Sequence, residues 1–263
     1  MKAINERHYG PEPFGVVIVH GGPGAAGELA PLGRELGMKR GVVEPWQTAM
    51  SFNEQVAELK DCLERADWPV VLIGHSYGAL LSLVTTAQSP SLVKKLILIS
   101  SAVFEDSYAQ QIMTMRRSRL SATENAELDS LLMAMDIAQD QSVKNDAFAR
   151  FGDYLERTDS FDPLPRTNDP VSFRGDIYKS VWPEVAALRT EGQLLTYAQK
   201  ITCPVVAIHG DYDPHPAAGV REPLERVLHD FKFILVDRCG HVPWRERQAQ
   251  EEFYRTLAFE LES

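Results

Sequence analysis

Gly74-His75-Ser76-Tyr77-Gly78 stands at the seam between an oily run, Val70 to Gly74, and a segment with helical spacing that carries Tyr77, Leu80, Leu81 and Val84 on one face. The chain must pass from strand to helix there within one residue. In a G-x-S-x-G bend the serine adopts strained backbone geometry and its hydroxyl projects from the sheet edge. Residues two away on either side approach each other, so glycine is needed where a side chain would collide. Five letters recur by chance, and an ordinary strand–helix turn is the plain alternative. The same five between a buried strand and an amphipathic helix point to a nucleophile.

Short apolar runs alternate with longer 3.6-period segments, the pattern of a mostly parallel sheet flanked by helices. "GVVIVHG" (15–21), "GVVEP" (41–45), 70–74 and "VKKLILIS" (93–100) read as strands, and "PVVAIHG" (204–210) and "FKFILVD" (231–237) resume the series. Leu29, Leu32 and Leu36 mark a helix closed by Gly37, where a left-handed cap is expected. Ser51 with Glu54 forms a capping box ahead of the stripe Phe52, Val56, Leu59, Leu63 and Ala66. A last helix carries Ala249, Phe253 and Leu257.

After Val103 the strand-like runs cease for nearly a hundred residues. Helical patterns replace them, Leu128, Leu131, Leu132 and Met135, then Phe148, Phe151 and Leu155, with Ser121 and Glu124 as a second capping box. "SFDPLPRTNDP" (160–170) reads as a Pro-rich loop. The expected organisation is a core of residues 1–103 and 201–263 interrupted by a helical cap, 104–200.

Net charge of −10 argues against nucleic acid or an anionic membrane as partner. No apolar run reaches the roughly 18 residues of a membrane span, and "MKAINERHYGPEP" lacks the apolar stretch of a secretory leader. Cys62, Cys203 and Cys239 are scattered and odd in number, which suits a reducing cytoplasm and no disulfide framework.

A serine hydroxyl needs a base, itself oriented by a carboxylate. His241 in "RCGHVPW", just past the last strand, fits the base; His229, expected late in a helix, and His8, before the core, read as solvated. "HGDYDPH" offers Asp211 and Asp213 for the acid. Asp213 reaches farther into the loop and precedes Pro214, so it is favoured, with Asp211 as a turn cap. The tetrahedral intermediate needs N–H donors, and His20-Gly21-Gly22-Pro23-Gly24 follows the first strand. The Gly22 and Tyr77 N–H groups are the expected pair.

His209 and His215 with Asp211 and Asp213 invite a metal reading, but no metal-binding pattern supports it, and neither metal nor cofactor is expected. His75 reads as a packed elbow residue, and Cys239 as a small buried one. Met113, Met115, Met133 and Met135 could line an acyl pocket, although methionine more often fills gaps between helices.

With His20 to Gly24, Gly74 to Gly78, Gly210-Asp211-Tyr212-Asp213 and Gly240-His241 in place, the chain resembles the α/β-hydrolase superfamily over about 15–103 and 201–263. The resemblance implies the α/β-hydrolase fold, with the N-terminal strands missing or reduced, and places the insertion where the family carries its lid. Its usual Gly-x-x-Asp spacing from Gly210 also selects Asp213. The HGGPG loop is similar to that of proline iminopeptidases, but their elbow is generally Gly-Gly-Ser-Trp-Gly and their N-terminal extension longer. Glu184 and Glu191 are available to hold a substrate amine, outside any pattern of that family.

The expectation is a serine hydrolase acting on a small carboxylic ester or lactone through an acyl-enzyme. A prolyl aminopeptidase and a cofactor-free C–C bond hydrolase would use the same triad. Haloalkane dehalogenases and epoxide hydrolases use an aspartate nucleophile, and position 76 is serine. A binding protein that has lost catalysis on this fold is the rival of another class.

Overall fold

Val16, Val17, Ile18 and Val19 are all buried, and they alternate between two apolar clusters: Val17 and Val19 in one, Val16 and Ile18 in the other. A strand covered on both faces is what a continuous β-branched run encodes. The computed structural model describes residues 5–137, 141–166, 169 and 171–263. The chain forms β1 (Glu6–Tyr9), β2 (Val16–Val19), β3 (Ala25–Ala26), α1 (Ala30–Gly37), β4 (Val42–Pro45), α2 (Phe52–Arg65), β5 (Val70–His75), α3 (Tyr77–Gln88) and β6 (Val93–Ile99). Next come α4 (Asp106–Ser118), α5 (Ala122–Ile137), α6 (Gln141–Asp159), β7 (Ser172–Phe173), α7 (Gly175–Thr190) and α8 (Gln193–Ala198). β8 (Val205–Gly210), α9 (Ala218–Glu225), β9 (Phe231–Val236) and α10 (Gln250–Glu262) close the order.

The main sheet runs β1-β4-β2-β5-β6-β8-β9. Its strands are parallel except β1, which pairs antiparallel with β4 at the edge. This is the α/β-hydrolase fold. Residues of α1 and α10 fill one cluster, and those of α2, α3, α7 and α8 fill the other. β5 lies at the centre, so the turn that follows it is held from both sides.

The Ser121 capping box closes in both directions, with the Ser121 N–H on Glu124 Oε2 at 2.7 Å, whereas at Ser51 the Glu54 carboxylate accepts from the Ser51 hydroxyl at 2.9 Å. The Glu54 N–H donates to Ser51 Oγ at 3.4 Å and the Glu124 N–H to Ser121 Oγ at 3.3 Å. Three expectations need correction. Gly37 is not a left-handed cap: it lies in the last turn of α1, where a Cβ would come within 2.8 Å of Tyr9 Cβ, so its smallness serves packing against β1. α3 is not amphipathic, because every residue from Tyr77 to Ala87 is buried between the sheet, α2 and α8. His229 falls in the turn after α9 rather than in a helix. A two-residue strand, β7, also interrupts the helical stretch and pairs with β3 beside the glycine-rich loop.

In the segment 104–200, α5 buries Leu128 and Leu131 as its spacing predicts. The side chain of Phe148 and positions 167, 168 and 170 of the Pro-rich loop lie outside the described residues. α7 is tied to α2, for Glu184 accepts the Phe52 N–H at 2.8 Å. No helix among the described residues is long and apolar enough to cross a membrane.

Candidate active site

Ser76 sits between β5 and α3 with φ 52° and ψ −117°, a conformation that L-residues avoid. Three backbone bonds hold it there: its N–H donates to Ile99 O at 3.0 Å, and its carbonyl accepts from the N–H groups of Ala79 at 3.1 Å and Ala102 at 3.3 Å. The glycines have separate duties. A Cβ on Gly74 would lie 2.4 Å from Gly78 O, the predicted close approach, whereas one on Gly78 would lie 2.3 Å from Val19 O at the end of β2. Ser76 remains partly accessible while His75, Tyr77 and Gly78 are buried.

Asp213 follows β8 and His241 follows β9, as parallel strands deliver their C-terminal loops to one sheet edge. Ser76 Oγ lies 3.0 Å from His241 Nε2, and His241 Nδ1 lies 2.7 Å from Asp213 Oδ2. An Nδ1–H donated to the carboxylate leaves Nε2 with a lone pair for the serine proton. Asp211 is directed elsewhere: its Oδ1 accepts the Cys239 N–H at 3.1 Å and braces the β8 loop against the β9 loop.

Burial opposes charge on Asp213, yet the imidazoles of His241, His215 and His209 outweigh it and hold its carboxyl well below the usual range. Burial likewise disfavours protonated His241, but Asp213 outweighs that and raises its pKa. Burial pushes the Cys239 thiol up, away from a reactive thiolate.

The glycine-rich loop lies against the serine. A Cβ on Gly21 would meet His75 Nδ1 at 2.9 Å and Ser76 Cβ at 3.1 Å. The Gly21 N–H is engaged by Glu28 Oε2 at 3.1 Å, so Gly22, with φ 38°, supplies the next N–H along. Tyr77 is the first residue of α3, where an N–H has no partner within the helix. Gln47 braces the loop. Its Nε2 donates to His20 O at 2.9 Å, its Oε1 accepts the Gly24 N–H at 3.4 Å, and its backbone N–H points to His20 Nε2 at 3.4 Å. His20 is buried, and burial keeps its ring neutral.

Several residues escaped the sequence reading because each acts through a distant backbone. Glu246, buried, accepts the N–H groups of Gly240, Phe161 and Asp162 at 3.0, 2.9 and 2.8 Å. It thereby joins the His241 loop to the end of α6. The His241 N–H also donates to Asp159 O at 2.7 Å, and the Asp159 carboxylate holds Arg116 of α4 at 2.8 and 2.6 Å. Met115 and Met133 face solvent rather than a pocket.

The ligand-capable atoms of Asp213, His215 and His241 lie within 4.8 Å of one another. Their contacts have hydrogen-bond lengths, and a cation there would replace the Nδ1–H that leaves His241 Nε2 free for Ser76. The set therefore fits a hydrogen-bonded relay better than an ion site.

Solved structures share this fold at low identity. VinJ superposes with a TM-score of 0.70 at 18% identity, over 98% of this chain and 94% of that one. Proline iminopeptidase from Mycobacterium smegmatis gives 0.65 at 19%, over 98% and 93%. A monoacylglycerol lipase from Paleococcus ferrophilus gives 0.62 at 17%, over 97% of each chain. No curated protein matches the sequence significantly. The pattern of the alpha/beta hydrolase family matches residues 16–256, from the first strand that feeds the glycine-rich loop to the helix behind His241. By that match and by this fold, the chain belongs to the alpha/beta hydrolase family.

Proposed function

We propose that this protein is a serine hydrolase that cleaves a small carboxylic ester or lactone. The observation that carries the reading is the unbroken relay Ser76 Oγ–His241 Nε2, His241 Nδ1–Asp213 Oδ2, at 3.0 and 2.7 Å. Ser76 Oγ attacks the carbonyl carbon as its proton passes to His241 Nε2. The Gly22 and Tyr77 N–H groups receive the oxyanion, and Asp213 balances the imidazolium. His241 then protonates the leaving alcohol, and an acyl-Ser76 remains. Water enters, gives a proton to His241, attacks the acyl carbon and releases the acid with Ser76 restored. Residues 104–200 act as a cap, with α4 and α6 nearest the histidine.

An ester suits this site better than a prolyl amide. A substrate ammonium needs a carboxylate free to pair with it. Glu184 holds the Phe52 N–H, and Glu191 accepts from Gln193 Nε2 at 2.6 Å. The structural relatives include a lipase and an enzyme that degrades N-acyl homoserine lactones. Three free cysteines suit a cytoplasmic location.

The test is labelling with a fluorophosphonate, followed by a hydrolysis panel of acyl esters, lactones and prolyl derivatives. Labelling of the wild type and its loss in Ser76→Ala are expected. A wild type that neither labels nor turns over any member of the panel makes the non-catalytic reading the better one.

A further inference from the structure

Position 213 meets a second histidine that the relay does not require. The Asp213 side chain is fully buried, and its two oxygens are used differently. Oδ2 faces His241 Nδ1 at 2.7 Å. Oδ1 takes two donors from one residue, the backbone N–H of His215 at 2.9 Å and its ring Nδ1–H at 2.8 Å. The His215 and His241 rings stack, with centroids 4.5 Å apart and planes at 23°. Residue 215 is held from behind as well, for His209 Nε2 donates to its carbonyl at 2.8 Å.

We propose that His215 is a positioning residue for the Asp213–His241 pair, fixing the carboxylate plane and moderating how strongly Asp213 draws on the proton of His241. This rests on the serine-hydrolase reading. Any residue but proline at 215 would supply the backbone donor; only a side chain with a donor at the Nδ1 position supplies the second. A carboxylate held at Oδ1 by two donors cannot swing Oδ2 away from His241. Each donor also withdraws charge from it and makes it a weaker base toward the imidazolium. The ring stays neutral while doing so, because burial drives its pKa down to about 4, against the opposing pull of Asp213. A cation stacked on His241 would instead oppose its protonation during attack.

Other ionisable groups surround the pair. His209 comes from β8, with its Nε2 3.6 Å from Asp213 Oδ2. Asp211 and Cys239 lie in the flanking loops, His75 and Glu28 on the elbow side, and the Arg116–Asp159 ion pair where α4 and α6 meet the His241 loop. Among the described residues, only His215 and His241 hydrogen-bond to the Asp213 carboxylate.

The experiment compares His215→Phe, which keeps a stacking ring without a donor, with His215→Asn, whose amide can donate from nearly the same place. The rate of fluorophosphonate labelling is followed from pH 5 to 9, alongside hydrolysis of p-nitrophenyl acetate. His215→Phe is expected to label about tenfold more slowly at pH 7. The acid limb of its profile should move up by about half a unit to one unit, since an undiluted Asp213 raises the pKa of His241. KM should change less than twofold, because the His215 side chain is buried behind the Asp213–His241 pair. His215→Asn should recover most of the rate and return the limb to its place.

An unshifted limb with a wild-type rate in His215→Phe overturns the proposal. So does an Asn variant that folds but performs no better than Phe. Proton NMR of the wild type adds a readout that survives a misfolded variant: two downfield imidazole N–H signals, both lost in Asp213→Ala, are expected. A single such signal overturns the proposal. Failure of the wild type to label at Ser76 sinks the hydrolase reading itself, whereas normal labelling untouched by His215→Phe sinks this inference alone.

Discussion

His75 Nε2 donates to the backbone carbonyl of His241 at 3.0 Å, so the residue just before Ser76 holds the loop that carries His241, the proposed base. The same ring packs edge-on against Trp244, with centroids 4.7 Å apart, and its Nδ1 lies 3.7 Å from Glu28 Oε1. Burial would raise the Glu28 carboxyl, but the neighbouring imidazoles, His75 first, hold it down to about 2. Elbow, glycine-rich loop and histidine loop thus meet at one side chain. His75→Phe should keep the packing and lose the bond. We expect kcat to fall about tenfold, the equivalent of roughly 1.4 kcal/mol, with KM little changed. Wild-type kcat in that variant would show that packing alone aligns the loop.

Ser76→Ala and His241→Ala should each lower kcat on the order of 10⁴–10⁶-fold, and Asp213→Asn should also cost heavily by disturbing the histidine tautomer. Asp211→Asn should be mild, since its Oδ1 serves only the Cys239 N–H. Steady-state rates on one ester decide this. A crippling Asp211→Asn beside a mild Asp213→Asn would assign the acid to the wrong residue.

Glu246→Ala leaves the N–H groups of Gly240, Phe161 and Asp162 without their buried acceptor. Orphaned buried donors cost about 1–3 kcal/mol each before relaxation and water entry. The expected loss is about 3 kcal/mol in chemical denaturation, with a fall in kcat because the His241 loop loosens. A variant as stable as wild type would mean that water replaces the carboxylate fully.

Stability should fall between pH 7 and pH 5. Burial depresses the pKa of His20, His209 and His215, the last to about 4. Below the ordinary value of 6.5 the unfolded chain then binds protons that the folded one refuses, so stability present above pH 6.5 is lost on the way down. His215 alone accounts for about 2 kcal/mol between pH 7 and pH 5. His241, with a raised pKa, acts in the opposite sense and offsets part of it. Asp213 and Glu28 are depressed carboxylates, whose contribution fades only below about pH 4.5. Thermal melts at pH 7.5, 6 and 5 check this; a flat midpoint would contradict buried neutral histidines.

Trp182 of α7 stacks on Tyr178, with centroids 5.8 Å apart, and lies 6.2 Å from the ring of Tyr77, the neighbour of Ser76. Trp182→Ala should change relative kcat/KM among acyl chain lengths more than it changes Tm. A uniform loss across the series, tracking thermal stability, would show that Trp182 only packs α7. On the same panel, acetyl esters should exceed prolyl esters of one phenol at least tenfold.

What the sequence determined was whatever local rules encode. The strands came from continuous β-branched runs, α2 and α5 from capping boxes and apolar stripes, and the elbow from two glycines around Ser76. Chain order then placed Asp213 and His241 after successive late strands, where a parallel sheet gathers its loops. Tertiary structure decided everything that depends on a partner far along the chain. Gly37 resembles a cap until Tyr9, almost thirty residues earlier, is seen against it. α3 carries an apolar face in sequence yet is buried all round, because α2 and α8 close over its other sides. Glu28, Gln47, Glu246 and His215 carry no motif: a carboxylate, an amide or a ring acquires its role only when folding brings it to unpaired backbone groups or to the oxygen of Asp213. Hydrogen bonding is short-ranged and directional, so pattern along the chain places the elements, and only their packing decides which polar groups meet.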